Sequence, residues 1–344
     1  MPRPLRTTVA HLESDATAAP HATGKATHVS SMIPDGATRL TVVGAPSVAQ
    51  RKPSWLKRQV PLAGPNYRDL KRTMRTNDLH TVCEEAGCPN IHECWEDRDA
   101  TVLIGGPDCT RRCGFCEIAT GKPTEYDRDE PRRVAEAVEK MGLNFAVVTG
   151  VARDDLPDGA AWLYAETCRQ IKQRLPHCGV ELLVDDFRGR EEPLRMVLAA
   201  EPEVLAHNLE TPRRLFRHVR PGFRYDRSLE LLDRARTWSS SATKSNLMLG
   251  MGETADEVVE AMRDLRAVGC QLLTINQYLQ PTHRHLALQR YVEPAEFERY
   301  HRIGMEMGFD WVESGPLVRS SYRAGRQAER AGVWRRPDPV GVAG

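Results

Sequence analysis

From about residue 101 onward, two patterns alternate along the chain. Short apolar runs recur at Thr101–Ile104, Phe145–Val148, Val180–Val184, Val204–Ala206, Ser245–Leu249 and Leu272–Ile275. Helix-like segments separate them, at Pro131–Met141, Ala160–Leu175, Ser228–Trp238, Thr254–Val268 and Pro294–Met307, with a weaker one at Glu192–Ala200. Asp129-Glu130-Pro131 is a good N-terminal signal for the first of these. Thr254 with Glu257 three residues later has the form of a capping box. Strands alternating with helices predict a parallel sheet. Six such units, ending in an extra strand at Asp310–Val312, suit an α/β fold built as an open, partial (βα)6 barrel of the TIM type. Periodicity alone also admits a doubly wound sheet. In both folds, functional groups gather beyond the C-terminal strand ends. That rule draws attention to Thr149–Asp155, Asp185-Asp186, His207–Glu210, Gly250–Glu253 and Asn276–Thr282.

The flanks are different. Residues 1–50 are rich in Ala, Thr, Ser and Pro without a sustained period, and we read them as a largely disordered extension. Asn66–Leu79 reads as a short basic helix, either a solvated face or a docking face. The expected organisation is therefore an extension over 1–50, a cysteine-bearing segment over 51–100, a barrel over 101–318 and a C-terminal segment with a flexible tail over 319–344. A formal net charge of +1 gives no global field that points to nucleic acid. No run of 18 apolar residues exists, so no membrane span is expected. Neither a secretory apolar core nor a clear transit-peptide stripe is present, and a cytoplasmic location is expected. Nothing in the sequence suggests an obligate interface, so a monomer is expected.

Cysteine changes the picture. The chain has nine, and six fall within residues 83–116. A chain with a large core and no secretory signal has no need of disulfide staples, and crowded thiols in a reducing compartment more often bind metal. Cys109, Cys113 and Cys116 have the spacing C-x3-C-x2-C directly after the first strand run. Three thiolates on a short loop suit three irons of a [4Fe–4S] cube. The missing fourth ligand leaves one iron open to chelate the amino and carboxylate groups of a small molecule. Phe115, just before the last cysteine, is placed to shield that site. Zinc sites usually pair two C-x2-C or C-x2-C/H-x3-H elements, a spacing not found here. Cys83, Cys88 and Cys94, spaced C-x4-C-x5-C, form a second triplet for which zinc competes more seriously. His92 lies between its members, as a ligand or as a neighbour. Cys168, Cys178 and Cys270 are scattered in helix-like or junction segments and read as core or incidental residues.

The first triplet, with Phe115 in the expected aromatic position, resembles the radical S-adenosylmethionine (SAM) superfamily. The second triplet, fifteen residues upstream, makes the resemblance more specific. Together with RDDLPDGA, HNLE, VRPGFRY, TKSNLMLGMGE, QYLQP, RYVEP and GPLVRSSYRA, it resembles the lipoyl synthase family over roughly residues 52–325. The resemblance implies two [4Fe–4S] clusters and SAM, cleaved to methionine and a 5′-deoxyadenosyl radical. It implies hydrogen abstraction at C6 and C8 of an octanoyl chain carried on a lysine, with sulfur supplied by the second cluster. It also implies that Ser321, in Arg319-Ser320-Ser321-Tyr322, is that cluster's fourth ligand. An alkoxide matches iron poorly beside three thiolates, so such a corner should be labile.

The partners implied are octanoylated lipoyl carrier domains, namely the acyltransferase subunits of 2-oxoacid dehydrogenases and the glycine-cleavage H protein. A flavodoxin or ferredoxin would supply electrons, and Arg111-Arg112 would assist its docking or make internal salt bridges. Asn208 and Glu210 follow a strand and are candidates for SAM contact. Arg153, Asp154 and Asp155 are similarly placed. Two positions depart from the family pattern: Ala152, where many relatives are acidic, and Arg323, where many have His. A biotin synthase would lack Cys83–Cys94. Both it and a methylthiotransferase would lack Arg319–Tyr322, and a zinc or iron–sulfur scaffold would not cleave SAM.

Overall fold

The computed structural model describes residues 52–57, 64–76, 81, 83, 88, 90–124 and 126–336, all within the unit spanning residues 40–344. The expectation of disorder over 1–50 therefore lies outside the described residues. The chain enters through helix α1 (Pro65–Thr76) and helix α2 (Ile91–Glu96), then strand β1 (Asp99–Ile104). Two short strands, β2 (Asp108–Cys109) and β3 (Ala119–Thr120), pair with each other outside the main sheet. The regular alternation follows: α3 (Glu130–Met141), β4 (Phe145–Gly150), α4 (Ala161–Arg174), β5 (Gly179–Leu183), α5 (Glu191–Leu198) and β6 (Val204–Ala206). It continues with α6 (Arg213–Val219), α7 (Tyr225–Trp238), β7 (Ala242–Leu249), α8 (Ala255–Ala267), β8 (Leu272–Gln277), α9 (Pro294–Glu306), β9 (Trp311–Gly315) and α10 (Ala324–Arg330).

The main sheet is parallel throughout, in the order β1-β4-β5-β6-β7-β8-β9. Strands neighbouring in space follow one another in sequence, and no order reversal occurs. A doubly wound sheet needs such a reversal. The fold is thus a partial barrel of the TIM type, left open between β1 and β9, with β9 as the strand beyond six βα units.

Local chemistry explains the boundaries. Helix α3 ends at Gly142 in the left-handed conformation, whose amide returns to Glu139 while Leu143 returns to Val138. Helix α8 begins with the expected box: the Thr254 amide donates to the Glu257 carboxylate at 2.9 Å, and the Glu257 amide donates to Thr254 Oγ1 at 3.3 Å. Along the strands, one set of side chains packs outward against the helices, among them Ala100, Val102, Ala146, Val148, Val180, Leu182 and Leu205. The alternate set faces the lumen. At the N-terminal strand ends Phe145, Val147, Val204, Ala242 and Leu272 meet Ala324, Ala328 and Trp334. The C-terminal segment is therefore not a free tail through residue 336. Its helix α10 packs beneath the barrel, which its sparse apolar content had concealed.

Candidate functional site

The first thiol group lies on the loop that leaves β1. Gly105 and Gly106 turn the chain with positive φ, and the pairing of β2 with β3 pins both ends of the loop. Its middle is tied to the barrel mouth: the Thr110 amide and hydroxyl donate to Ala152 O, the Gly114 amide donates to Val219 O, and Gly114 O accepts from the Leu286 amide. A side chain at 114 would come within 2.6 Å of Leu286, so glycine permits this approach. Cys109 Sγ accepts from the amides of Arg111 (3.4 Å) and Ala152 (3.3 Å). Burial pushes the Cys116 thiol up to about 11, and nearby Cys113, Cys109 and Glu210 add to the rise. Cys113 is also raised by burial, against the pull of the Arg220 guanidinium. Phe115 rests on the apolar group formed by Leu215, Val219, Tyr278 and Leu286, beside Met248.

Beneath this loop lies a polar network. Glu210, at φ +70, accepts from Asn208 Nδ2 (2.9 Å) and Asn246 Nδ2 (2.6 Å). Asn246 Oδ1 in turn accepts from Thr274 Oγ1 (2.8 Å) and Asn276 Nδ2 (3.0 Å). Burial raises the Glu210 carboxyl, and Arg220 opposes it. Asn208 and Glu210 thus belong to one network with Asn276, which the strand-end rule also marked, and with Asn246 and Thr274, which the sequence reading missed. A polar side chain at alternate positions of an otherwise apolar strand was the available signal, in Asn246 and in Thr274 with Asn276.

The other candidates near the loop make ion pairs. Arg111 is buried and grips Asp154 with two bonds (2.8 and 2.7 Å) and Asp186 with a third (2.6 Å). Burial works against the Asp154 charge, yet Arg111 and Arg188 hold its carboxyl far below the usual range. Arg153 binds Asp155 and the carbonyl of Gly105. Of the expected basic pair, only Arg112 is exposed.

The second thiol group forms at the other end of β1. Cys83, Cys88 and Cys94 line one cavity with Thr101, Arg319 and Ser321. The Cys88 amide returns to Cys83 O, and Cys94 sits in α2 beside the fully buried Trp95. Ser321 arrives from 220 residues beyond Thr101, whose Oγ1 lies 2.9 Å from its hydroxyl. A clamp delivers it. Tyr322 hydrogen-bonds to Glu93, Arg323 pairs with Glu93 (3.4 Å) and Asp97 (3.3 Å), and Arg326 pairs with Asp97. The Gly325 amide donates to Asp99 at 3.1 Å. Arg323, a departure from the family pattern, is thus a working part of the clamp. Burial pushes the Cys83 thiol up to about 11 and Cys94 further still. His92 does not line the cavity; its ring lies 4.2 Å from Tyr67. Among the described residues, no three His, Cys, Asp or Glu converge tightly enough to hold one metal ion. A cube carries each thiolate on a different iron and does not require that convergence. Cys168, Cys178 and Cys270 are buried in the core.

β1 spans about 17 Å at the usual strand rise, so the two thiol groups face each other along the barrel. On the inward side between them, Leu103, Thr149, Leu183 and Met248 are half-buried. An open parallel barrel carrying C-x3-C-x2-C after its first strand defines a radical SAM protein, and residues 103–265 match the model of the radical SAM superfamily. Residues 39–88 match the N-terminal domain of lipoyl synthase of that family.

Curated relatives agree. Lipoyl synthase of Frankia alni is 57% identical over 88% of this chain and 92% of its own. That of Mycobacterium avium is 59% identical over 85% and 96%. That of Mycolicibacterium smegmatis is 56% identical over 91% and 100%. The chain belongs to the lipoyl synthase family. A solved methylornithine synthase overlays with a TM-score of 0.49 at 13% identity, over 73% of this chain and 74% of that one; the fold assignment rests on the strand order instead.

Proposed function

We propose that the two thiol groups hold two [4Fe–4S] clusters with different tasks. Cys109, Cys113 and Cys116 hold the one that meets SAM, and Cys83, Cys88, Cys94 and Ser321 hold the auxiliary one. As a lipoyl synthase, the chain inserts two sulfur atoms at C6 and C8 of an octanoyl group carried on a lysine of a carrier protein, at the expense of SAM. The donor sets suit the assigned groups. Three thiols on the loop leave one iron corner for SAM, while three thiols and a hydroxyl complete the other set.

The observation that carries this reading is the meeting of Ser321 with Cys83, Cys88 and Cys94 in one cavity. A serine serving only its own turn would have no reason to lie among three thiols. When bound, the two clusters and SAM supply an electron, a 5′-deoxyadenosyl radical and sulfide. The chain's own residues position and shield. Backbone amides at Arg111 and Ala152 hold Cys109. Phe115 walls the site on its apolar side, and Asn208 with Glu210 offers a polar edge to SAM. Leu103, Leu183 and Met248 give the acyl chain an apolar path between the two sites.

The carriers are the acyltransferase subunits of 2-oxoacid dehydrogenases and the glycine-cleavage H protein, and the reductant is a flavodoxin or ferredoxin. Among the described residues no helix is long and apolar enough to cross a membrane; the cytoplasm is the location we infer, on the crowded free thiols.

The test is anaerobic. Protein reconstituted with iron and sulfide is incubated with SAM, dithionite and an octanoyl-lysine peptide, and the peptide is followed by mass spectrometry. Gain of two sulfurs with 5′-deoxyadenosine is expected. SAM cleavage without any gain of sulfur overturns the role given to the Cys83–Cys94 site.

A further inference from the structure

Thr101 is a buried polar residue on the lumen side of β1, between the two thiol groups, and no step above uses it. Its Oγ1 lies 2.9 Å from the Ser321 hydroxyl. Thr101 and Cys83 line the same cavity. One side chain therefore meets the serine, 220 residues away in sequence, inside the cavity that the three thiols line. Valine would fill this strand position equally well and without a buried hydroxyl to satisfy.

We propose that Thr101 is a positioning residue that governs how firmly Ser321 holds its corner of the auxiliary cluster. The inference rests on the assignment of Ser321 as a ligand. A threonine hydroxyl has one proton and two lone pairs, and it rotates to suit its partners. With Ser321 on iron, the Thr101 hydroxyl would donate to the serine oxygen, as it does at 2.9 Å here, and hold that side chain toward the three thiols. Removing that hydrogen bond would leave the bound serine without its partner and its corner less firmly held.

The experiment uses the full chain carrying Cys109→Ala, Cys113→Ala and Cys116→Ala, so that only the auxiliary site loads. Thr101→Val, Thr101→Ser and Ser321→Ala are each added to that parent and reconstituted anaerobically with iron and sulfide. The rate of iron withdrawal by ferrozine and the electron paramagnetic resonance spectrum of the dithionite-reduced protein are measured. Thr101→Val is expected to lose iron at least about tenfold faster than the parent, the change that one hydrogen bond to a charged group corresponds to. Thr101→Ser should remain within about twofold of the parent, by the same reasoning.

If Thr101→Val matches the parent while Ser321→Ala loses iron faster, the role of Thr101 is overturned and the ligand assignment survives. If Ser321→Ala matches the parent in both rate and spectrum, the ligand assignment fails and the inference falls with it. If Thr101→Ser is as fast as Thr101→Val, or if neither variant loads iron, side-chain shape rather than the hydroxyl is what the site requires, and the inference is overturned.

Discussion

His207 shows what a single buried ring contributes. The family-like stretch His207–Glu210 invites a chemical role for its histidine, but the ring is fully buried between Val184 O (2.9 Å from Nδ1) and Ser228 Oγ (3.0 Å from Nε2). These partners fit a neutral ring with its proton on Nδ1. Burial, with the Arg220 charge, lowers its pKa to about 4. The unfolded chain binds a proton near pH 6.5 while the folded one does not, so stability is complete above about 6.5 and falls as pH drops toward about 4. The loss approaches about 3 kcal/mol by linkage. Urea denaturation of the metal-free protein at pH 7.5 and pH 5 should show it, and His207→Gln should flatten the difference. An equal pH dependence in that variant would assign the effect to other groups.

At the scale of elements, the C-terminal segment is a strap. Asp97 and Asp99 hold it through Arg323, Arg326 and the Gly325 amide, and Ser321 rides on its leading edge. A Cβ at 325 would sit 2.9 Å from Phe145 Cβ and 3.0 Å from the Asp99 carboxylate. Gly325→Val should therefore lift the strap and remove the serine without touching any thiol. We expect SAM cleavage to persist, sulfur insertion to fall at least about tenfold, and iron content to drop toward that of one cluster, an effect larger than the ordinary few-tenths cost of a surface change. Iron analysis beside a 5′-deoxyadenosine assay reads all three. Unchanged iron and product would mean that the strap tolerates the side chain.

This is also the scale at which sequence was most and least legible. Strands such as Val204–Ala206 announced themselves because both their faces are covered, and thiols because few other roles crowd them so tightly. The helix Arg213–Val219 hid behind four Arg and His residues in seven, and Ala324–Arg330 behind a buried face made only of small residues and Gln327. Thr101 carries no local signal; its meaning comes from what the barrel brings opposite it.

At the scale of the whole molecule, a lumen must stay open between two sites while the barrel closes beneath it. Phe145, Leu272, Ala328 and Trp334 seal the lower end with apolar contact. Above them Lys244 on β7 meets Glu181 on β5, with Nζ 2.9 and 3.1 Å from the two oxygens and each side chain about 1% exposed. These strands are separated by β6, so the pair braces the sheet across its inner face where small Ala206 leaves room. Burial raises the Glu181 carboxyl and Lys244 opposes the rise. Lys244→Met should strand that carboxylate and cost about 3–5 kcal/mol, as broken buried pairs do. The variant also carries a pH signature. With its partner gone, Glu181 has a folded pKa further above its unfolded one, so the folded state holds the extra proton and stability declines as pH rises from about 5 to 8. Adding Glu181→Leu should recover most of the loss and remove the slope, because two apolar side chains strand no charge. Thermal melts of the three variants across that range decide it. If the single variant melts like the parent, the pair does not brace the sheet; if the double variant recovers stability but not sulfur insertion, the pair shapes the path between the sites as well as the barrel that encloses it.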